Sequence, residues 1–258
     1  MRKFKNPVKN LGYFMYRWIT PFFDPLHTIN SLPNFPGYFK DMVAYSKMKG
    51  SEPIKLLDTY PVLYEKSSGT PFDAHYFYQD VWAFKKIYNS KPKEHFDISS
   101  KLIFAGLLSA ITQVTYVDYH PLKIKLKNFT FKQGDIVSLS FKKNSITSLS
   151  CLNVAEHIGL GRYGDKLDPY GTKKACKELA RILAPAGNLY FSGPVGFERV
   201  CFNAHRVNSP KKILEYFKDL RLVELSAIDD QNNFVENIDM ETLENSSFAN
   251  GLFHFTKV

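Results

Sequence analysis

The first chemistry in this chain is a pair of ionisable neighbours, Glu156 and His157, at the end of an apolar run. The run, Ile146 to Val154, has β-type character and reads as a buried strand. The loop beyond it carries Arg162, Tyr163, Asp165 and Asp168 among glycines. A buried strand that empties into a polar, glycine-containing loop is where open α/β sheets put ligands. Histidine titrates near neutral pH, so His157, with Glu156 beside it, can take a proton from a substrate. An arginine among hydroxyl and carboxylate groups suits a polyol or phosphate-bearing substrate. A third polar cluster, Phe202-Asn203-Ala204-His205-Arg206, follows the next strand, so Asn203, His205 and Arg206 are expected to converge with His157 at one sheet edge. A plainer role fits the same residue types: a histidine that only bonds loop backbone, and a loop held by its own salt bridges. Spacing alone leaves both open.

Other chemistries are poorly supplied. Cys151, Cys176 and Cys201 show no C-x-x-C spacing, which argues against a disulfide framework and a structural zinc site and points to a reducing compartment. His157 with Asp165 or Asp168 makes no convincing cation site, and no metal is expected. The net charge of +9 suggests an anionic partner. Part of it is local, in Arg2, Lys3, Lys5 and Lys9, and in Lys123, Lys125, Lys127, Lys132, Lys142 and Lys143; a solvated face explains it equally well. No nucleic-acid motif accompanies the charge, so nucleic acid is not the expected partner. No apolar run approaches the ~18–20 residues of a bilayer span. The basic N-terminus lacks a signal-peptide core. A cytoplasmic protein is expected, with peripheral contact to the cytoplasmic membrane face as an option.

These residues need elements to hold them. Leu11, Phe14, Met15, Trp18, Ile19 and Phe22 fall on one helical face. Residues 1–23 are therefore either an interfacial membrane helix or a helix docked on the main domain. Asp24 to Gly37, with Pro25, Pro33 and Pro36, reads as an extended connection, Tyr38–Lys49 as a short helix, Lys55–Tyr64 as extended chain and Ser67–Pro71 as a loop. Asp73–Tyr88 is a helix capped by Asp73, with Tyr76, Phe77, Asp80, Val81, Phe84 and Tyr88 as its apolar face. His75 and Gln79, four apart, either point together into a cleft or face solvent. From Lys93 strands and helices alternate. Strands are expected at Glu94–Ile98, Val114–Asp118, a short one ending at Phe131–Asp135, Ile146–Val154, Asn188–Ser192, Leu220–Ala227 and Gly251–Lys257. Helices are expected at Leu102–Ile111, Pro169–Leu183 and Pro210–Phe217, the last capped by Ser209. The alternation predicts an α/β, Rossmann-like, seven-stranded, mostly parallel sheet with helices on both faces. The expected domains are a helical extension over 1–90 and the sheet domain over 91–258.

The element order resembles the class I S-adenosylmethionine-dependent methyltransferase fold over about residues 93–258. LNVAEHIG followed by ACKELARILAPAGNLYFSGPVG is similar to the family's fourth strand, helix and fifth strand, although the turn at Pro185-Ala186-Gly187 is one glycine short. HYFYQD, EHIGLGRYGD and FNAHR look more narrowly like an uncharacterised domain family grouped with methyltransferases. The resemblance implies S-adenosylmethionine as cofactor, held by the first loop from Asp97 through Ser99 and Ser100. Asp118 at the end of the second strand can take both ribose hydroxyls, and Asp135 can receive the adenine amino group. That first loop, Asp97-Ile98-Ser99-Ser100-Lys101-Leu102-Ile103, lacks the family's three glycines, and bulk at Lys101 and Ile103 is expected to crowd the cofactor. Two functions follow. One is a methyltransferase for a small polar or glycan-type acceptor, with O-methylation through His157 or His205 and with Arg162, Tyr163, Asp165, Asn203 and Arg206 on the acceptor. The other is a non-catalytic binding module on a degenerate methyltransferase fold.

Overall fold

The computed structural model describes residues 7–63 and 69–258. Arg2, Lys3 and Lys5 of the basic N-terminus, Tyr64, and Ser67-Ser68 of the expected loop lie outside the described residues. The chain divides into two compact units, Met1–Pro71 and Phe72–Val258.

The first unit is helical: α1 (Pro7–Ile19), α2 (Pro25–Ser31) and α3 (Phe35–Ser46). The stretch expected to be extended is therefore folded. Its prolines are the reason it looked broken and the reason it is not. Pro25 opens α2, Pro36 sits in the first turn of α3, and Pro33 in the short 3-10 turn between them, where a missing amide costs nothing. Leu11, Phe14, Met15, Trp18 and Ile19 are exposed on α1. No described helix is long and apolar enough to cross a membrane.

The second unit begins with α4 (Ala74–Ser90), which the sequence reading had placed in the extension. Then follow β1 (Glu94–Ile98), α5 (Leu102–Leu108), β2 (Gln113–Asp118), β3 (Phe129–Gln133), β4 (Ile146–Leu152), α6 (Gly171–Ile182) and β5 (Leu183–Val195). The remainder is β6 (Arg199–Cys201), β7 (His205–Val207), α7 (Pro210–Tyr216), β8 (Leu220–Ile228), β9 (Phe234–Val235), α8 (Met240–Glu244) and β10 (Ala249–Lys257). The main sheet has eight strands, one more than expected, in the order β3-β2-β1-β4-β5-β10-β8-β9. The extra one is the two-residue β9, too short to leave a pattern in the sequence. β3, β2, β1, β4 and β5 run parallel, and β10, β8 and β9 pair antiparallel. The FNAHR stretch, read as a loop, is the return of a separate β6–β7 hairpin.

Strand alternation sends side chains to two cores. Leu149, Cys151, Leu179, Phe217 and Phe253 form one, under α6 and α7. Trp82, Ile87, Phe104, Tyr116 and Tyr190 form the other, under α4 and α5. The expected apolar face of α4 needs correction: Phe77, Val81 and Tyr88 are exposed, and Ala74, Gln79, Trp82, Ala83 and Ile87 are buried. The misreading came from Gln79. Its Oε1 accepts from Ser192 Oγ at 2.7 Å and from Asn250 Nδ2 at 3.1 Å, so a polar residue sits on the inward stripe fully satisfied. Asp73 does cap α4, accepting from Tyr76 N at 3.3 Å. Ser209 caps α7, accepting from Lys212 N at 3.2 Å.

Candidate functional site

The chain runs outward from β1 to β2 and β3, then crosses back to β4 on the other side of β1. Helices on either side diverge at such a switch point and leave a crevice at the carboxyl ends of the strands. A cleft of about 240 Å³ lies there. Six residues expected from the sequence line it: Ser99, Asp118, Asp135, His157, Tyr163 and Asp165.

On the β1–β3 side, Ser99 follows β1 with φ +55°, the left-handed region usually given to glycine. Its hydroxyl donates to Val117 O at 3.0 Å. The glycine conformation of the first loop is thus present without the glycine. Ile103 is exposed, Lys101 places its Nζ 3.3 Å from the centre of the Tyr76 ring, and neither lines the cleft. Asp118 ends β2, with Oδ1 accepting from His120 N at 2.9 Å and Oδ2 3.3 Å from the Tyr116 hydroxyl, whose shorter hydrogen bond goes to Ser100 O at 3.0 Å. These bonds orient the carboxylate and leave each oxygen a further lone pair. Asp135 accepts from Val137 N at 3.0 Å and is exposed.

Asp97 and Ser100 do not reach the cleft; they support its floor. Asp97 is fully buried, accepts from Ser100 N at 3.0 Å, and takes a short hydrogen bond from Ser150 Oγ. His95 joins the same chain, Nε2 to Ser150 Oγ and Nδ1 to Ser148 Oγ, both at 2.8 Å. Burial pushes Asp97 up to about 7 against the pull of its hydroxyl and amide donors, and pushes His95 down to about 3. Ser100 Oγ accepts from Leu152 N at 3.1 Å, tying the first loop to β4.

On the β4 side, Ala155–His157 form a single 3-10 turn. His157 Nδ1 lies 2.6 Å from Ala204 O, and Arg162 Nη1 donates to the same carbonyl at 3.1 Å. A carbonyl only accepts, so Nδ1 carries the ring proton and Nε2 holds the lone pair. Glu156 Oε1 lies 3.6 Å from that Nε2, while Oε2 is buried without a hydrogen-bond partner. Burial raises the Glu156 carboxyl to about 8, partly offset by the Arg162 charge. Burial lowers His157 to about 4 despite the Ala204 carbonyl, with Arg162 and His205 lowering it further. The pair is charge-neutral at neutral pH, an acid beside an imidazole, although its separation alone would pass for an ion pair.

The loop over this pair is fixed by backbone geometry. Gly159 has φ +83°, and a Cβ there would meet Asp168 O at 2.1 Å. A Cβ at Gly171, where α6 starts, would meet Ile158 O at 2.2 Å. Asp165 is turned inward, accepting from Gly159 N at 2.6 Å and Tyr163 N at 3.2 Å; partial burial raises its pKa, but those amides outweigh it and hold it low. Arg206, expected to bind substrate, is buried and donates to Ile158 O at 2.5 Å, Thr172 Oγ1 at 3.2 Å and Asp168 O at 3.0 Å. It staples the loop to β7 instead. Arg162 and Asn203 are exposed at the rim. His205 leans on Phe248, ring centres 5.3 Å apart, and His75 stacks on Phe248 at 5.7 Å. His75 and Gln79 therefore do not point together.

Three contributors escaped the sequence reading. His120 lines the cleft two residues beyond Asp118, a polar residue in VDYHP that signalled its place. Tyr76 feels the charges of Glu156 and Arg162 and was hidden inside an apolar helical pattern. Phe248 carries the two histidines and left no signal.

This strand order, with its crevice at the β1/β4 switch point, is the fold of the class I S-adenosylmethionine-dependent methyltransferases. Solved structures with it include an N-methyltransferase from Bradyrhizobium japonicum in complex with S-adenosyl-L-homocysteine, at TM-score 0.50 and 14% identity, over 70% of this chain and 86% of that one. The Haemonchus contortus Phospholethanolamine N-methyltransferase 2, in complex with phosphomonomethylethanolamine and S-adenosylhomocysteine, matches at TM-score 0.50 and 14% identity over 70% of this chain and 53% of that one. No curated protein matches the chain by sequence. Residues 99–251 match the family model described as Caenorhabditis protein of unknown function, DUF268, and the chain belongs to that family.

Proposed function

We propose that this protein is an S-adenosylmethionine-dependent methyltransferase acting on a small polar or glycan-type acceptor at a hydroxyl. One observation carries the reading: Ser99, Asp118 and Asp135 share a single cleft with His157. Asp118 suits the ribose hydroxyls, since its two oriented oxygens match a vicinal diol. Asp135 suits the adenine amino group. The left-handed backbone at Ser99 supports the fit, because it lets the first loop turn away as a glycine would. Asp97 and Ser100 support this cofactor site from behind.

The cofactor, when bound, supplies an electrophilic methyl group. The chain's own part is to place the acceptor and take its proton. His157 Nε2 holds the lone pair for that step, because Nδ1 is committed to Ala204 O. Glu156, once ionised, faces the imidazolium that forms and keeps it from being a bare buried cation. Tyr163 and Asp165 line the cleft and are assigned to the acceptor; Arg162, which shares Ala204 O with His157, and Asn203 and His205 on either side of Ala204 are assigned to it as well. Arg206 holds the loop that carries them. The N-terminal helices serve as an extension of this domain, with residues 1–23 as a peripheral contact to the cytoplasmic face of a membrane.

Transfer of labelled methyl groups to hydroxyl-bearing acceptors tests the reading. His157→Ala is expected to lower the rate by about two to four orders of magnitude while cofactor binding persists. Full activity in that variant would remove His157 from the mechanism. A second reading, a binding module without turnover, is favoured by Ser100 and Lys101 standing where the family has glycines. It predicts cofactor binding or acceptor binding with no transfer to any acceptor.

A further inference from the structure

Four large apolar side chains stand in solvent around His157, on two loops that are clamped together. Tyr163 is 45% exposed and Leu167 71%, both on the loop after β4; Val200 is 58% exposed and Phe202 74%, both on the β6–β7 hairpin. The clamps fix their neighbourhood. Ala204 O accepts from both His157 and Arg162, which ties the hairpin turn two residues after Phe202 to the loop residue before Tyr163, whose ring lies 5.8 Å from that of His157. Arg206 pairs with Val200 across the hairpin and donates to Asp168 O, which ties the Val200 strand to the loop one residue beyond Leu167. The four thus stand on two loops tied to each other at two points rather than on unconnected parts of the surface.

On the loop after β4 the unpaired outward charges are cations, since Asp168 and, on the hairpin side, Glu198 are paired with Lys174 and Lys212. Arg162 and Lys166 are exposed on the same loop, interleaved with Tyr163 and Leu167. The one carboxylate between them, Asp165, is turned in to the amides of Gly159 and Tyr163. Cations alternating with aromatic and aliphatic side chains are what lies down on an anionic bilayer: the apolar groups enter the acyl boundary while the cations stay at the phosphates. The chain's net charge of +9 favours the same surface.

We propose that the rim formed by Tyr163, Leu167, Val200 and Phe202 docks on an anionic phospholipid bilayer, so that the acceptor is the hydroxyl-bearing headgroup of a membrane lipid whose acyl chains stay in the bilayer. The identity of the acceptor rests on the methyltransferase reading; the lipid-facing rim does not. Co-sedimentation of the full chain with phosphatidylcholine vesicles, with and without phosphatidylserine, tests it. The wild type partitions onto the phosphatidylserine vesicles. Leu167→Ser with Phe202→Ser lowers that partitioning by about tenfold, as loss of buried apolar area requires. Val223→Ser, exposed on β8, leaves it unchanged. Equal partitioning of the double variant and wild type overturns the proposal, and so does a wild-type dimer that the double variant converts to monomer. A folding defect is bypassed by Phe202→Trp in a Trp18→Phe background, where the emission left after subtracting that background, which holds the buried Trp82, shifts to the blue on anionic vesicles; no shift overturns the proposal. Binding of S-adenosylhomocysteine without vesicles separates the two ideas: its absence removes the methyltransferase reading and leaves the rim result standing.

Discussion

Glu156 and His157 share a cramped, neutral arrangement that sets when the site can act. Burial raises the acid to about 8 and lowers the imidazole to about 4, so at neutral pH the proton rests on Glu156 and His157 Nε2 is bare. The groups facing the pair are Arg162, which favours an ionised Glu156, and His205, which disfavours a second cation. A base that must become an imidazolium gains from an ionised carboxylate beside it. Transfer activity is therefore expected to rise as pH passes through about 8, where buried Glu156 ionises. In Glu156→Gln the rise disappears and the rate stays low; a rise that survives the substitution would assign the proton work elsewhere. Sequence gave the pair away because two ionisable residues end an apolar strand. It could not give the tautomer, which depends on Ala204 O arriving from a hairpin 47 residues further on.

At the scale of elements, the loop after β4 is held by one buried guanidinium. Arg206 spends donors on Ile158 O, Thr172 Oγ1 and Asp168 O, so the β6–β7 hairpin and the start of α6 are locked to the loop between them. Charged donors on buried carbonyls contribute about 1.5–3 kcal/mol each. Arg206→Ala is expected to destabilise by at least one such bond and to open residues 158–170 to proteolysis before the sheet unfolds; limited digestion with mass spectrometry reads this. Lysine is not a substitute, since a single ammonium cannot span three acceptors in a fork. The parallel strands were legible from their β-branched and apolar runs, and so were the caps Asp73 and Ser209. The inward stripe of α4 was not, because Gln79 belongs to it through partners on β5 and β10. Nor was the role of Arg206: in FNAHR it looks like its neighbours, and only the fold turns it inward.

Over the whole molecule, the inward ionisable groups shape stability against pH. Asp97 and Glu156 have folded values raised to about 7 and about 8, so their contribution is full at low pH and is lost as pH rises through those values. His95, at about 3, and His157 and His254, at about 4, are depressed, so their contribution is present above 6.5 and lost as pH falls below it. Below 6.5 the two sets oppose each other; above it only the acids titrate. Stability is thus expected to peak near pH 6.5 and to fall above it, with both acids contributing up to about pH 7 and Glu156 alone from there to about 8. Glu156→Gln should flatten the alkaline limb in urea unfolding. The proposed transfer requires the β1–β4 crevice to take S-adenosylmethionine through Asp118. Calorimetric titration of the full chain with S-adenosylhomocysteine tests this. Saturable binding is expected, weakened in Asp118→Ala by at least about 1.5 kcal/mol, the loss of one charged hydrogen bond. Heats that do not saturate at millimolar ligand, or equal affinity in Asp118→Ala, would contradict it.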